Sequence, residues 1–264
     1  MKAQEVIAII EKFAPPELAA FDYLGTLQGD ETREVTKVGL TLDYCNQALQ
    51  QAQAAGCDML ITHHGPTEIH FPLQGNLLEK VRFASNHQLV VYRCHLNLDF
   101  CQHGIIDTLC HLLEIPAKPM TTVYEGMKIT GGVFLAENFP LTLEELLKKA
   151  EVLGGKSVRL AGKRRDHFSR IAITSGQGFH PAFFDQLQPE VYIAGEFEQE
   201  ATKYAEDLGI QLVELGHHHS EQATLPIIAQ RLTKLAGIPV VPIEVEDSVS
   251  VVTFDHIEQR RGIC

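Results

Sequence analysis

The sequence predicts an α/β protein in which one strand-helix-strand architecture is used twice. Short apolar runs of strand length alternate with amphipathic stretches of helical spacing, and a pair of those runs recurs later in the chain with the same chemistry behind it. The residues best able to do chemistry stand directly after the runs, where strands would end.

Val6, Ile9, Ile10 and Phe13 keep helical spacing until Pro15-Pro16 stops it, so the chain opens on an amphipathic helix. Val38 to Leu42 reads as a buried strand, Asn46 to Ala55 as a helix and Met59-Leu60-Ile61-Thr62 as a second strand, a β-α-β unit that expects parallel pairing. Phe83 to Asn86 leads into a third strand, Leu89 to Tyr92. Between Thr121 and Asn138, Gly126, Gly131 and Gly132 separate short apolar pieces. Thr142-x-x-Glu145 is a capping box on a helix carrying Leu143, Leu146, Leu147 and Ala150, with Gly154 as its stop. Ile171-Ala172-Ile173 begins a second strand-helix-strand run that ends at Val191 to Ala194, and a further strand, Ile210 to Val213, follows an amphipathic segment.

The repetition shows in the alignment of two segments. Met59 to His64 aligns with Val191 to Glu196, and His95-x-x-x-Asp99 aligns with His217-x-x-x-Glu221, each histidine standing behind a strand. The two offsets differ by one loop length, as expected of related lobes. The boundary falls near residue 125, giving a first lobe over 1–124 and a second over 125–238, with 239–264 available to complete the first.

With 264 residues, 45% of them hydrophobic and 21% charged, the chain can bury a real core as one large domain or two smaller ones. A net charge of −12 disfavours capture of nucleic acid or an anionic membrane, and the compact basic run Lys163-Arg164-Arg165 reads as a solvated loop. No stretch is apolar enough for a membrane span, and the N-terminal pattern, with Glu5 and Glu11 inside it, is unlike a signal peptide; a cytoplasmic protein is expected. The 6 cysteines form no C-x-x-C pair, and most read as small buried hydrophobes in a reducing compartment.

The 13 histidines cluster. Four segments carry candidate metal ligands: Ile61-Thr62-His63-His64-Gly65, His95-Leu96-Asn97-Leu98-Asp99, Ala194-Gly195-Glu196 and Gly216-His217-His218-His219-Ser220-Glu221. Parallel strands deliver their carboxyl ends to one edge, so segments distant in sequence can converge there. His63 and His64 would point to opposite faces if the strand ran through them, but Gly65-Pro66 predicts a turn that aims both at one pocket or gives one to each of two ions. Asp99 and Glu221 add what histidine lacks, because a carboxylate can bridge two cations and offset part of their charge. This nitrogen and oxygen set suits two divalent ions drawn from Zn, Fe, Mn, Co or Ni. Within the triple histidine, the repeat selects His217; His218 and His219 are weaker candidates, read as supporting or exposed groups. His70, His87, His103, His111, His167, His180 and His256 have no comparable partners and read as structural. There is no H-E-x-x-H zinc helix. Ser175-Gly176-Gln177-Gly178-Phe179 has the glycines of a tight turn, with a phosphate at the following helix start as a secondary reading.

These segments resemble the type 2 homologues of GTP cyclohydrolase I, also called the Nif-three-like dinuclear-metal hexamers, across nearly the whole chain. The family's H-H pair is matched by His63-His64, its H-x-N-L-D by His95 to Asp99 and its G-H-x-x-(S/T)-E by Gly216 to Glu221. The resemblance implies that His63, His64, Asp99, His217 and Glu221 hold two metals, with His95 as a nearby proton-transfer group and the catalytic residue. It also implies two related α/β lobes with the dinuclear metal site between them, assembled as a toroidal homohexamer. The sequence departs from the family pattern at Phe21-Asp22-Tyr23-Leu24-Gly25, where W-D-N-x-G is usual, at Ile106, which replaces an asparagine, and at Ala194-Gly195-Glu196, which replaces T-G-(E/D).

The function expected is therefore a metal-dependent hydrolase of the GTP cyclohydrolase I type 2 kind, acting on a nucleotide or phosphoester through an activated water. A triphosphate would call on Arg82, Arg93 or Lys163 to Arg165. A dinuclear phosphoesterase would use the same ions. The alternative from another class is a hexamer that holds metal without turnover and serves regulation or interaction.

Overall fold

Strands buried on both faces read as continuous apolar runs, and here such runs form the centres of two sheets. The computed structural model describes residues 1–66, 73–178 and 181–251. The first half contributes α1 (Ala3–Phe13), β1 (Gly25–Gln28), β2 (Val38–Asp43), α2 (Asn46–Ala54), β3 (Met59–His64), α3 (Gly75–Asn86), β4 (Val90–Arg93), α4 (Leu96–Phe100) and α5 (Ile105–Leu112). There follow β5 (Lys118–Tyr124), β6 (Met127–Ala136), β7 (Leu141–Thr142), α6 (Leu143–Ala150), β8 (Arg159–Gly162), β9 (His167–Phe168) and β10 (Ile171–Ile173). The chain continues with α7 (Ala182–Leu187), β11 (Val191–Ala194), α8 (Gln199–Leu208), β12 (Gln211–Glu214), α9 (His217–Gln222), α10 (Leu225–Ala236) and β13 (Val240–Ile243).

The first sheet has the order β1-β4-β3-β2-β13 and the second β5-β6-β10-β11-β12-β8, with β7 and β9 pairing separately. β2, β3 and β4 run parallel, with β1 antiparallel beside β4. β10, β11 and β12 repeat that arrangement, with β8 antiparallel beside β12. Each third parallel strand runs on into a short helix, α4 or α9, so the aligned segments of the sequence occupy equivalent places in the two sheets.

Alternation across the second sheet divides its side chains between two cores. Ile171, Ile173, Val191, Ile193 and Val213 meet Leu109 of α5 and Leu146 of α6. Ala172, Tyr192, Ala194 and Leu212 meet Phe183 of α7 and Ala205 of α8 on the other face. The first core joins Val6 and Ile10 of α1, Leu40, Ile61 and Val91 of the sheet, and Ile228 and Leu232 of α10.

By strand pairing, the expected boundary at 124/125 falls inside a hairpin. β5 and β6 pair antiparallel, with Tyr124 opposite Met127, and the turn residues Glu125 (φ 48°) and Gly126 (φ 81°) are both left-handed, as a type I′ hairpin turn requires. At the other end α10 carries the chain back, and β13 lies parallel to β2 with Val240 opposite Val38. The capping box on α6 forms as read, Glu145 N–H donating to Thr142 Oγ1 at 3.1 Å. Lys163 and Arg164 are exposed, and of the cysteines Cys57, Cys94, Cys101 and Cys110 are buried, while Cys264 lies outside the described residues. Among the described residues no helix is long and apolar enough to cross a membrane.

Candidate metal centre

The carboxyl ends of both sets of parallel strands face one another, and each delivers its polar residues to the gap. β3 brings His63 and His64, the turn after β4 brings His95 and α4 brings Asp99. From the other sheet, α9 brings His217 and Glu221, one helical turn apart and so on one face of the helix.

Three overlapping donor groups result: His63 with Asp99 and Glu221, His64 with His217 and Glu221, and His63 with His64 and His95. His63 Nε2 lies 3.5 Å from Asp99 Oδ2 and 3.8 Å from Glu221 Oε1. His64 Nε2 lies 3.2 Å from Glu221 Oε2 and 3.3 Å from His217 Nε2, which is itself 3.4 Å from Glu221 Oε2. The two oxygens of Glu221 thus face different imidazoles.

The structure corrects the expected turn before Gly65, because β3 continues through His64, which pairs with Asp43 of β2. The two neighbouring imidazoles need not share a target. Their ring centroids are 4.7 Å apart, but His63 serves the Asp99 side and His64 the His217 side.

Each imidazole is oriented by the nitrogen that points away from the centre. His63 Nδ1 donates to Cys94 O at 3.2 Å, His64 Nδ1 to Asp43 Oδ1 at 3.0 Å and His217 Nδ1 to Glu196 Oε1 at 2.9 Å. His95 Nδ1 donates to Asp22 Oδ2 at 2.7 Å, and buried Arg93 binds the other oxygen of Asp22 at 3.1 Å. A backbone carbonyl or carboxylate on Nδ1 fixes the tautomer in which Nε2 offers its lone pair, the usual arrangement around a metal-ligating histidine. Buried His63 Nε2 and Glu221 Oε2 make no hydrogen bond among the described residues, so polar atoms are aimed inward without a protein partner. These residues fit a metal.

The electrostatics agree with a site shaped for cations. Asp99, 4% exposed, is pushed up to about 7 by burial and by the charge of Glu221. Burial also opposes ionisation of Glu221, yet the surrounding imidazoles of His63, His217 and His64 outweigh it and hold the carboxyl well below its ordinary range. Burial works against protonation of His64 and His217 too, but carboxylates overcome it: Asp43 and Glu221 raise His64 to about 10, and Glu221 with Glu196 raises His217 to about 9. Burial drives His63 and His95 down, towards the neutral form.

Metal binding must displace the protons on His64, His217 and, below neutrality, Asp99. Affinity for a divalent cation therefore rises with pH, by up to about tenfold per pH unit for each proton released, and levels off only as pH passes the values of His217 and His64. Competitive chelator titrations at three pH values check this, and a pH-independent affinity would contradict it.

Glycines let the backbone approach. At Gly176 (φ +52°) a Cβ would sit 2.3 Å from Glu221 Oε1 and 3.1 Å from His217 Nε2. Ser175 beside it donates to Asp99 Oδ1 at 2.7 Å. The loop read as a phosphate seat thus packs against two carboxylates on its inner side, and Phe179, where the following helix start was expected, lies outside the described residues.

Of the other histidines, His87 stacks on Phe83 with ring centroids 4.4 Å apart, His103 faces Asp107 at 3.4 Å, and His111 and His167 are exposed. His219 faces Asp247 at 3.5 Å, and neither it nor His218 joins a donor group. His70, His180 and His256 lie outside the described residues. Asp43 went unread in the sequence and Ser175 was read only as part of a tight turn, although both follow the strand-end rule that found the ligands, at the ends of β2 and β10. Asp22 stood in a segment read only as a departure from the family pattern, and its role needs the fold.

Of the basic residues considered for a triphosphate, Arg93 stands beside the centre, its Nη2 2.9 Å from His95 Nδ1, and the others lie elsewhere. Arg93 is spent on Asp22 and on Tyr23 O, and Arg82 pairs with Glu79 at 3.1 Å on α3. Lys163 to Arg165 follow the end of β8 that pairs with Gln211, the opposite edge of the sheet from His217, because β8 runs antiparallel to β12.

Residues 1–248 match the family Duf34/NIF3 (NGG1p interacting factor 3). A relative from Methanocaldococcus jannaschii, named GTP cyclohydrolase 1 type 2 homolog, is 30% identical over 233 residues, 84% of this chain and 90% of its own length. A protein of the same name from Clostridium perfringens is 27% identical over 248 residues, 88% of this chain and 91% of its own. Among solved structures, reduced HcgD from Methanocaldococcus jannaschii superposes with a TM-score of 0.79 at 26% identity, covering 93% of this chain and 98% of HcgD. Staphylococcus aureus protein SA1388 shares the fold, with a TM-score of 0.81 at 21% identity over 96% of this chain and 99% of its own. From end to end of its two sheets, the chain belongs to the Duf34/NIF3 family.

Proposed function

We propose that the chain is a dinuclear-metal-dependent hydrolase that opens a polarised C=N or C=O bond with water, a reading in line with its relatives named GTP cyclohydrolase 1 type 2 homolog. The observation that carries this reading is the division of Glu221, with Oε1 towards His63 and Oε2 towards His64 and His217. A carboxylate so placed would be shared by two cations, with His63 and Asp99 available to hold one and His64 and His217 the other. A bound pair of Zn, Fe, Mn, Co or Ni ions would supply Lewis acidity and lower the pKa of water towards neutrality.

The chain's own groups do the rest. Asp43, Glu196 and Cys94 O lock the ligand imidazoles in orientation. His95 lines the cavity beside the centre and, held at Nδ1 by Asp22, accepts and returns a proton at Nε2. The toroidal homohexamer and cytoplasmic setting expected from the sequence belong to the same proposal.

In metal-loaded protein assayed against GTP and a panel of amides and phosphoesters, His64→Ala lowers turnover by at least ~100-fold. Turnover unchanged by that substitution, or none in the loaded wild type, would remove the hydrolase reading and leave a metal-holding protein.

A further inference from the structure

A cavity of about 550 Å³ opens on the metal centre, and His64, His95 and His217 form its inner end. One wall is apolar, built from Phe21, Leu96, Phe100, Ile106 and Ile129. Glu198 and Glu200, both exposed at the start of α8, line the cavity as well. Gln177 donates to Glu198 Oε1 at 2.6 Å, which holds that carboxylate in place.

No lysine or arginine is among the described residues that line this space. The start of a helix ordinarily favours an anion, but at α8 the chain's own carboxylates already take that advantage. An extended polyphosphate whose ring sits at the metal centre would leave its charge beside Glu198 and Glu200, in a chain of net charge −12. The volume suits a nucleoside-sized ligand, and the apolar wall suits an aromatic ring.

We infer that this cavity takes an uncharged or cationic heteroaromatic compound, its ring against the Phe21 and Phe100 wall and its amino end towards Glu198 and Glu200, and that it discriminates against phosphorylated compounds of the same ring system. The inference rests on the hydrolase reading for the reacting end of the ligand and on the charge of the lining for the other. It moves the substrate class away from nucleoside triphosphates while keeping the ring chemistry.

Equilibrium dialysis of guanosine, GMP and GTP against metal-loaded protein at physiological ionic strength tests it. Cations at the inner end attract phosphate in every sample, so the charge-reversed variant Glu198→Lys/Glu200→Lys isolates the contribution of the carboxylates. Guanosine is expected to bind the wild type at least ~10-fold more tightly than GTP, and the variant to shrink or invert that ratio by at least ~10-fold, mainly through tighter GTP binding. GTP binding the wild type as tightly as guanosine, guanosine not binding at millimolar concentration, or a ratio unmoved in the variant would overturn the inference. Elemental analysis of the same samples separates the two readings: two metals per chain with the wrong ligand order condemns the charge argument alone, whereas the right order without metal condemns the hydrolase.

Discussion

Glu221→Gln empties the centre, whereas His218→Ala leaves it loaded. Glutamine keeps the size of the side chain but removes its negative charge, and turns one of two acceptor oxygens into an amide nitrogen that only donates. In the protein that nitrogen would face either His63 Nε2 or the Nε2 atoms of the pair His64 and His217. Both donor sets that contain Glu221 lose their shared member, and apparent affinity for divalent metal falls by at least ~10-fold. His218 belongs to no donor group, so its loss changes metal content little. Elemental analysis after desalting reads both variants, and equal metal content in the two would contradict the assignment of ligands along α9.

Gly131→Ala destabilises the fold by about 3 kcal/mol and weakens metal binding in what remains folded. Gly131 has φ +86°, where an L side chain is strained, and a Cβ there would lie 2.2 Å from Phe100 O. That carbonyl belongs to the last residue of α4, directly after Asp99. To admit a methyl group, α4 and β6 must move apart, which drags one of the two buried carboxylates away from His63. Gly126, at φ +81° with nothing within 4 Å, is the control, since alanine there meets only the backbone strain. Urea unfolding of both variants separates strain from collision, and a loss at Gly131 no greater than at Gly126 would show that the contact does not matter.

The parts of the fold legible in the sequence are those whose side chains are alike on both faces. β2, β3, β10 and β11 stand where apolar runs placed them, because a strand covered on two sides must be apolar throughout. The helix α6 was legible through its capping box, a signal carried by two residues three apart. The β5–β6 hairpin was not, since β5 is largely exposed at a sheet edge and its turn is Glu125-Gly126 rather than the commoner asparagine-glycine. β13 was not read as a strand, although 239–264 was read as available to complete the first lobe: Val240-Val241-Pro242-Ile243 pairs with a strand some two hundred positions earlier, and nothing local marks that partner.

The same division holds at the metal centre. His63, His64, His95, Asp99, His217 and Glu221 converge as the strand-end argument and the family resemblance led one to expect. The groups that aim them were harder to see. Asp22 and Asp43 are ordinary acids in sequence, and become informative only once their distances to imidazole nitrogens are known.

The return of α10 and β13 to the first sheet makes the molecule nested rather than tandem. All six strands of the second sheet lie in one uninterrupted stretch, from Lys118 to Glu214, held like a parenthesis inside the other half. During synthesis the inner half has every strand in hand before the outer one does, since β2 keeps a bare flank until Val240 to Ile243 leave the ribosome. A fragment truncated ahead of Val240 inherits that open edge, so separating the halves calls for two cuts and a new join, never for one.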